Sequence, residues 1–113
     1  MPLRAQAYLF DIIQAIEAIE EFTRGQTFES YHQSRLLVSA VERQLSIVGE
    51  AITQLLKIEP NAPINAAKQI VGFRNILIHN YARVSQAVIW KIVQDDLPVL
   101  KAEAQTFLER LEA

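Results

Sequence analysis

Apolar side chains recur at helical spacing along most of this chain, and no segment shows the strict alternation expected of a strand. The first such stretch runs from about Pro2 to Arg24. Proline suits the first turn of a helix and Gly25 suits the position just past its end, so this stretch is predicted to be the first helix. Its apolar stripe comprises Leu9, Ile12, Ile13, Ile16 and Ile19.

The second helix is predicted to begin near Tyr31, with Ser30 as its N-cap and Gln33 at the reciprocal position of a capping box. It is predicted to end near Ile58, because the segment 59–63 that follows has the composition of a loop. Its core face comprises Leu37, Ala40, Val41, Leu45, Val48, Ile52, Leu55 and Leu56.

Two further helical stretches complete the pattern. A third helix is predicted over about Ile64 to Ile78, and a fourth from Ser85, which is a good N-cap residue. Pro98 either kinks the fourth helix or opens a fifth segment, since proline lacks the backbone donor and clashes with the preceding turn. Four to five helices with short loops predict an all-α, up-and-down bundle that forms a single domain over residues 1–113.

Several helices carry more apolar residues than one core stripe needs. The surplus residues are Ile12, Leu36, Val38 and Ile47. A bundle with excess apolar surface usually buries it between two copies, so the sequence predicts a homodimer.

Charge and composition exclude several classes of protein. The net charge of −2 excludes binding of nucleic acid through bulk charge, so RNA would either need a local basic cluster or bind only briefly and weakly. The candidates are Arg35, Arg43, Lys68, Arg83 and Lys91, each of which is by default an ordinary solvated charge. The chain has no cysteine, which excludes disulfides and thiolate metal sites. No apolar run approaches the roughly 18 residues of a membrane span, and the N-terminus shows no signal-peptide pattern. A cytoplasmic protein without a membrane partner is therefore expected.

The segment Gly72–Tyr81 concentrates chemically useful side chains in an otherwise apolar helix. Asn75 and His79 are four residues apart and share a helix face. Arg74 and His79 are five residues apart, which places them about 140° apart around the axis. On one unbroken helix they would not converge. Either the helix ends before His79, or a second subunit completes the site.

These side chains suit cleavage of RNA without a metal ion or other cofactor. A histidine such as His79 can remove the proton of a ribose 2′-hydroxyl near neutral pH. The guanidinium of Arg74 can stabilise the charge that gathers on the phosphoryl oxygens. Asn75 can orient His79 or hydrogen-bond the phosphate. From these residues alone, a structural Arg–His pair remains the alternative.

The motifs of the chain resemble those of the HEPN superfamily, and within it those of HepT-like toxins. Arg74-x4-His79 matches the HEPN signature, and His79-Asn80-Tyr81 matches the His-x-Tyr extension of the HepT-like group. Further similar segments, in the same order, are 47–51, 73–75, 88–90 and 95–100. The stretch 64–69 departs from the family pattern, which affects the start of the third helix rather than the site.

This resemblance implies a helical-bundle homodimer with its active cleft at the subunit interface. It implies a metal-independent endoribonuclease with Arg74, Asn75 and His79 as catalytic residues, acting on tRNA or mRNA. It also implies the toxin of a type VII toxin–antitoxin system. The cognate antitoxin would be an MNT-type nucleotidyltransferase that transfers AMP to Tyr81, and larger hetero-oligomers with it are possible.

Other interpretations remain open at this stage. The chain could be a non-catalytic partner that docks a minimal nucleotidyltransferase, or a helical scaffold. Tyr81 could be a half-buried tyrosine with a solvated hydroxyl. His32 is expected to be a surface residue on the second helix, since nothing in the sequence suggests a partner for it, and Trp90 is expected in the core or an interface. Asp95-Asp96 is expected to be capping or solvated rather than a metal pair, because adjacent helical residues point about 100° apart.

Overall fold

The computed structural model describes residues 2–67, 70 and 85–113. The helices are α1 (Pro2–Thr23), α2 (Phe28–Gln33), α3 (Arg35–Ile58), α4 (Gln86–Lys91) and α5 (Leu97–Glu112), with a π-helical turn (Ile92–Asp96) between the last two. The described ranges contain no strand, which confirms the all-α prediction. Most of the third predicted helix, Ile64 to Ile78, lies outside the described residues.

Helix α1 ends where the sequence predicts. Gly25 follows with a φ of 75°, the left-handed conformation that glycine adopts without a steric penalty. The amide of Gln26 donates to the carbonyl of Thr23 at 3.0 Å, and the Thr23 hydroxyl donates to the carbonyl of Ile19 at 2.8 Å. The first bond satisfies a carbonyl that the end of the helix leaves without an intrahelical partner, and the second gives the buried Thr23 hydroxyl an acceptor.

The predicted start of the second helix is wrong. Ser30 is not an N-cap: it lies in α2, where its hydroxyl accepts from the amide of Thr27, the true cap, at 2.9 Å. Thr27 in turn accepts from the Ser30 amide at 3.1 Å, which completes a capping box. The helical conformation is interrupted at Ser34, which has an extended backbone. The Ser34 hydroxyl accepts a hydrogen bond from the Leu37 amide and so caps the start of α3. The predicted end at Ile58 is confirmed.

The fourth predicted helix starts where the sequence predicts, and its α-helical hydrogen bonding changes to a π-helical turn before Pro98. Ser85 occupies the N-cap position in an extended conformation and makes no side-chain capping bond. Before the proline, the amide of Leu97 donates to the carbonyl of Ile92, five residues earlier. Because this wider π turn precedes the ring, α5 begins at Leu97 with Pro98 in its first turn, where its missing donor is tolerated. The fifth-segment alternative is therefore the correct one.

The core is built around α1, which packs against both α3 and α5, while α2 packs against α3 and α4. Ile12 is completely buried, so its assignment to a surplus surface was wrong: two flanking helices cover a wider face of α1 than one stripe. Leu36 is 79% exposed, as expected of a surplus residue. Val38 and Ile47 are partly buried against the core.

Two ion pairs connect α5 to α1. The ammonium of Lys101 lies 2.9 Å from a Glu20 carboxylate oxygen and 3.5 Å from one of Glu17. The hydrogen bond with Glu20 is the main reason that the pKa of Lys101 is raised. None of the described helices is both long and apolar enough to cross a membrane.

Candidate active-site segment and its two clamps

The residues predicted to be catalytic lie between two stretches of the chain that the structure describes. Arg74, Asn75, His79 and Tyr81 fall within 71–84, outside the described residues. The structure therefore neither brings them together nor separates them. It does describe the chain on both sides of this segment. On each side, hydrogen bonds connect the chain to a helix that is remote in the sequence: backbone amides make them upstream and a side chain makes them downstream.

The upstream clamp consists of Asn65, Ala66 and Glu103. The amides of Asn65 and Ala66 donate to the two carboxylate oxygens of Glu103, on α5, at 2.9 and 3.1 Å. Amides at the start of a helical turn lack intrahelical acceptors, and a carboxylate is a strong acceptor for them. Beside this clamp Ile64 and Ile70 are 4% and 1% exposed, so apolar packing anchors the same end of the segment.

The downstream clamp consists of Tyr31, Glu42 and Gln86. The Tyr31 hydroxyl donates to Oε1 of Gln86 at 2.5 Å, and Nε2 of Gln86 donates to Oε2 of Glu42 at 2.8 Å. Gln86 is the first residue of α4, whereas Tyr31 is on α2 and Glu42 on α3. One side-chain amide thus joins three helices just after the predicted active-site segment.

The chemistry of the downstream clamp depends on a neutral phenol. Tyr31 is completely buried, and burial is the main cause of its raised pKa, with the Glu42 carboxylate as a second cause. Both effects disfavour a second negative charge beside Glu42. The hydroxyl therefore keeps its proton and remains a donor to Gln86 over the physiological pH range.

Aromatic packing supports the same junction. The ring of Trp90 on α4 lies 5.0 Å from that of Tyr31 and 6.4 Å from that of Phe28 on α2. The prediction that Trp90 belongs to the core or an interface is consistent with this half-buried position. His32 is exposed, as predicted, and its ring stacks on that of Phe28 with the centroids 5.4 Å apart, a contact that the sequence did not indicate.

Three of the five candidates for a basic cluster lie among the described residues. Arg35 and Lys91 are exposed at the starts and ends of different helices. Arg43 lines a groove of about 440 Å³ between α1 and α3, together with the acidic residues Asp11 and Glu50. The two other candidates, Lys68 and Arg83, lie outside the described residues.

The acidic pair Asp95-Asp96 lies in the π-helical turn, with Asp95 exposed, in agreement with a solvated role. In the parts of the chain that the structure describes, no three His, Asp or Glu side chains are grouped closely enough to share a metal ion.

Sequence reasoning missed the clamp residues, and the reason is their separation along the chain. Tyr31 and Gln86 are 55 residues apart, Glu42 and Gln86 are 44 apart, and Glu103 is 38 residues from Asn65. The only local signal is a glutamine directly after the N-cap Ser85, and this does not identify a partner.

Comparisons with known proteins place the chain among relatives of similar length. The family model described as "Ribonuclease HepT-like" matches residues 12–107. "Probable ribonuclease HepT" of Thermococcus cleftensis is 39% identical over 100 residues, which cover 85% of this chain and 88% of that protein. "Putative RNase MJ1380" of Methanocaldococcus jannaschii is 35% identical over 104 residues, which cover 88% and 93%. No solved structure matches the chain.

Proposed function

Because the chain belongs to the HepT-like ribonuclease family, we propose that it is a metal-independent endoribonuclease whose catalytic residues are Arg74, Asn75 and His79. The observation that carries this proposal is the extent of the family match. It spans residues 12–107, and therefore includes Arg74-x4-His79 and the His-x-Tyr extension. The named relatives, which are similar over nearly their whole length, are called ribonucleases.

The proposed reaction needs a base, a positive charge and an acid. His79 removes the proton from a ribose 2′-hydroxyl, and the 2′-oxygen attacks the adjacent phosphorus. Arg74 stabilises the negative charge on the phosphoryl oxygens, and Asn75 orients His79 or the phosphate. The bond from phosphorus to the 5′-oxygen breaks, and a second histidine, His79 of the partner subunit, protonates that oxygen. The products are a 2′,3′-cyclic phosphate and a 5′-hydroxyl.

A homodimer is part of the proposal. Arg74 and His79 would lie about 140° apart on a continuous helix, so a second subunit is one way to bring the two groups to one phosphate. Large apolar side chains left exposed on the described surface support burial between copies. They are Phe10, Leu36, Val88 and Val99, at 53%, 79%, 49% and 52% exposure.

The proposed biological role is that of a type VII toxin neutralised by an MNT-type nucleotidyltransferase. The Tyr81 oxygen would attack the α-phosphorus of ATP, pyrophosphate would leave, and AMP would remain on the tyrosine. The added phosphate and adenosine would fill the cleft and neutralise Arg74. The structure supports this choice of target indirectly, because the Tyr31 hydroxyl is buried and already bonded to Gln86.

Cleavage is tested with purified protein on end-labelled tRNA and on an mRNA transcript, with and without EDTA. We expect wild type to cleave at least one substrate in EDTA, and His79→Ala or Arg74→Ala to lose about 100-fold or more in kcat, since each removes a catalytic group. Matched controls are His32→Ala, which changes the other histidine of the chain, and Arg24→Ala, which changes an exposed arginine. Undiminished cleavage by His79→Ala would refute the mechanism.

The composite site is tested by mixing two inactive variants. If Arg74 of one subunit acts with His79 of the partner subunit, mixed dimers of Arg74→Ala and His79→Ala regain one such pair and lack only the second histidine. Part of the cleavage activity should then return after subunit exchange. Mixtures that form heterodimers and are no more active than either variant alone would count against a pair shared between the two subunits.

Modification is tested by intact mass after co-expression with a nucleotidyltransferase encoded beside the gene. We expect added mass in multiples of one AMP, lost in Tyr81→Phe and retained in the control Tyr8→Phe. A wild-type protein that forms a stable complex with the nucleotidyltransferase, yet cleaves no RNA, would instead identify a non-catalytic partner.

A further inference from the structure

We propose that Gln86, held between Tyr31 and Glu42, is a positioning residue for the active site. It fixes the C-terminal end of the active-site segment, which follows His79 and Tyr81 in the sequence. This inference rests on the proposed function, since it concerns the efficiency of the same site. It assigns a role to three residues that lie outside the HEPN signature.

The hydrogen bonds of the downstream clamp define one orientation of the Gln86 amide. Its oxygen accepts from Tyr31 and its nitrogen donates to Glu42. A neutral phenol facing the oxygen and a carboxylate facing the nitrogen leave no equivalent alternative, because a flipped amide would place its nitrogen beside the donor and its oxygen beside the acceptor. The side chain, and with it the first turn of α4, is therefore held in one position against α2 and α3.

Chain connectivity carries this constraint toward the site. Gln86 is five residues after Tyr81 and seven after His79. Even a fully extended chain spans at most about 18 Å over five residues, so the position of Gln86 limits where Tyr81 can lie. At the other side, the upstream clamp holds Asn65 and Ala66 on Glu103. The segment with all the predicted catalytic residues is thus attached at both ends to helices of the core.

The magnitudes separate positioning from a merely structural role. Losing one hydrogen bond of this kind removes a small part of the free energy of unfolding and leaves nearly all molecules folded. Misplacing catalytic groups by about 1 Å lowers turnover by up to about 100-fold. A clamp that serves only stability would change the melting temperature and little else, whereas a positioning clamp changes kcat in molecules that are still folded.

The first test compares kcat and KM of Gln86→Leu and Tyr31→Phe with wild type, on whichever of the tRNA and the mRNA transcript wild type cleaves. Each variant removes one element of the clamp with little change in volume. We expect kcat to fall about 10- to 100-fold with KM within about twofold, at a temperature where circular dichroism shows folded protein. The double variant should be about as slow as the slower single variant, because both changes disable one unit.

The second test exchanges the two polar groups. Gln86→Glu alone places a carboxylate against that of Glu42 and should lower kcat. Adding Glu42→Gln restores an amide-to-carboxylate pair, with Tyr31 still able to donate, and should return kcat to within about threefold of wild type. Lys101→Met, which breaks a polar tie between α5 and α1 away from the clamp, is the matched control and should keep wild-type kcat.

The outcomes are distinguishable. If wild type cleaves and both Gln86→Leu and Tyr31→Phe keep its kcat, the positioning role is refuted while the ribonuclease stands. The same conclusion follows if the exchange variant folds but stays slow, or if Lys101→Met is equally slow. If Gln86→Leu does not fold, Tyr31→Phe and the exchange variant decide the question. Absence of cleavage by wild type refutes the proposed function, and this inference with it.

Discussion

Helix α1 and the two clamps hold the molecule together by different physical means. Helix α1 lies between α3 and α5, and its inner face is apolar and buried. Such contacts are non-directional and large in free energy. Each clamp consists of two hydrogen bonds between residues far apart in sequence, which contribute little net stability but require one geometry. Apolar burial around α1 therefore contributes a large share of the stability of the fold, while each clamp fixes the orientation of a few polar groups on one side of residues 71–84.

The largest effect on stability is expected in the α1 core. Ile16 is completely buried, so Ile16→Ala should lower the free energy of unfolding by about 2–5 kcal/mol through lost apolar burial and the cavity left behind. Urea denaturation followed by circular dichroism measures the change. Gln14→Ala, at an exposed position of the same helix, should stay within about 0.5 kcal/mol of wild type. Equal losses in the two variants would contradict the assignment of the core.

The downstream clamp should contribute less, and in a pH-dependent way. Tyr31→Phe should lower the free energy of unfolding by about 1 kcal/mol at pH 7. The pKa of Tyr31 is raised in the folded state, whereas a tyrosine in the unfolded chain has a pKa of about 10. The stability from the neutral phenol is therefore complete below about pH 10 and is lost as the pH rises further, by on the order of 1 kcal/mol between pH 10 and 11.

Denaturation of wild type and Tyr31→Phe across this range tests the dependence. The difference between them should shrink above about pH 10, because only wild type loses the contribution of the phenol. A constant difference up to pH 11 would mean that the hydroxyl is not held in the buried, neutral state.

The upstream clamp is expected to contribute about as much as one hydrogen bond to a charged group. Glu103→Gln keeps one acceptor oxygen and replaces the other with a donor that faces a backbone amide. The free energy of unfolding should therefore fall by about 1 kcal/mol. Glu109→Gln, at an exposed position of the same helix, is the control and should be close to neutral. Thermal unfolding in low salt compares them, and indistinguishable melting temperatures would remove the clamp as a stabilising contact.

The smallest effect is expected for the partly exposed ion pairs of Lys101. Lys101→Met should cost less than about 1 kcal/mol, since solvent and salt screen such pairs. The difference from wild type should become smaller between 0.05 and 1 M NaCl as the Debye length falls to about 3 Å. A loss above about 2 kcal/mol that salt does not affect would contradict this, because methionine keeps most of the aliphatic chain and only a desolvated ion pair escapes screening.

Local sequence signals predicted helix ends well where one signal stood alone. Gly25 marked the end of α1 because only a residue without a side chain adopts its φ of 75° without strain. The signals failed where capping residues were crowded. Thr27, Ser30 and Ser34 can each cap a helix, and the packing of α2 against α3 and α4 decides that Thr27 and Ser34 do so.

The sequence by itself determined the helical class, from the spacing of its apolar residues, and the family and candidate catalytic residues, from Arg74-x4-His79-x-Tyr81 and the motifs around it. Only the tertiary structure decided which polar residues meet at the ends of that segment, and that Ile12 is enclosed rather than exposed. The physical reason is range. Helical periodicity and motif spacing are local properties of the chain, whereas a hydrogen bond between Tyr31 and Gln86 exists only after packing brings two remote helices together.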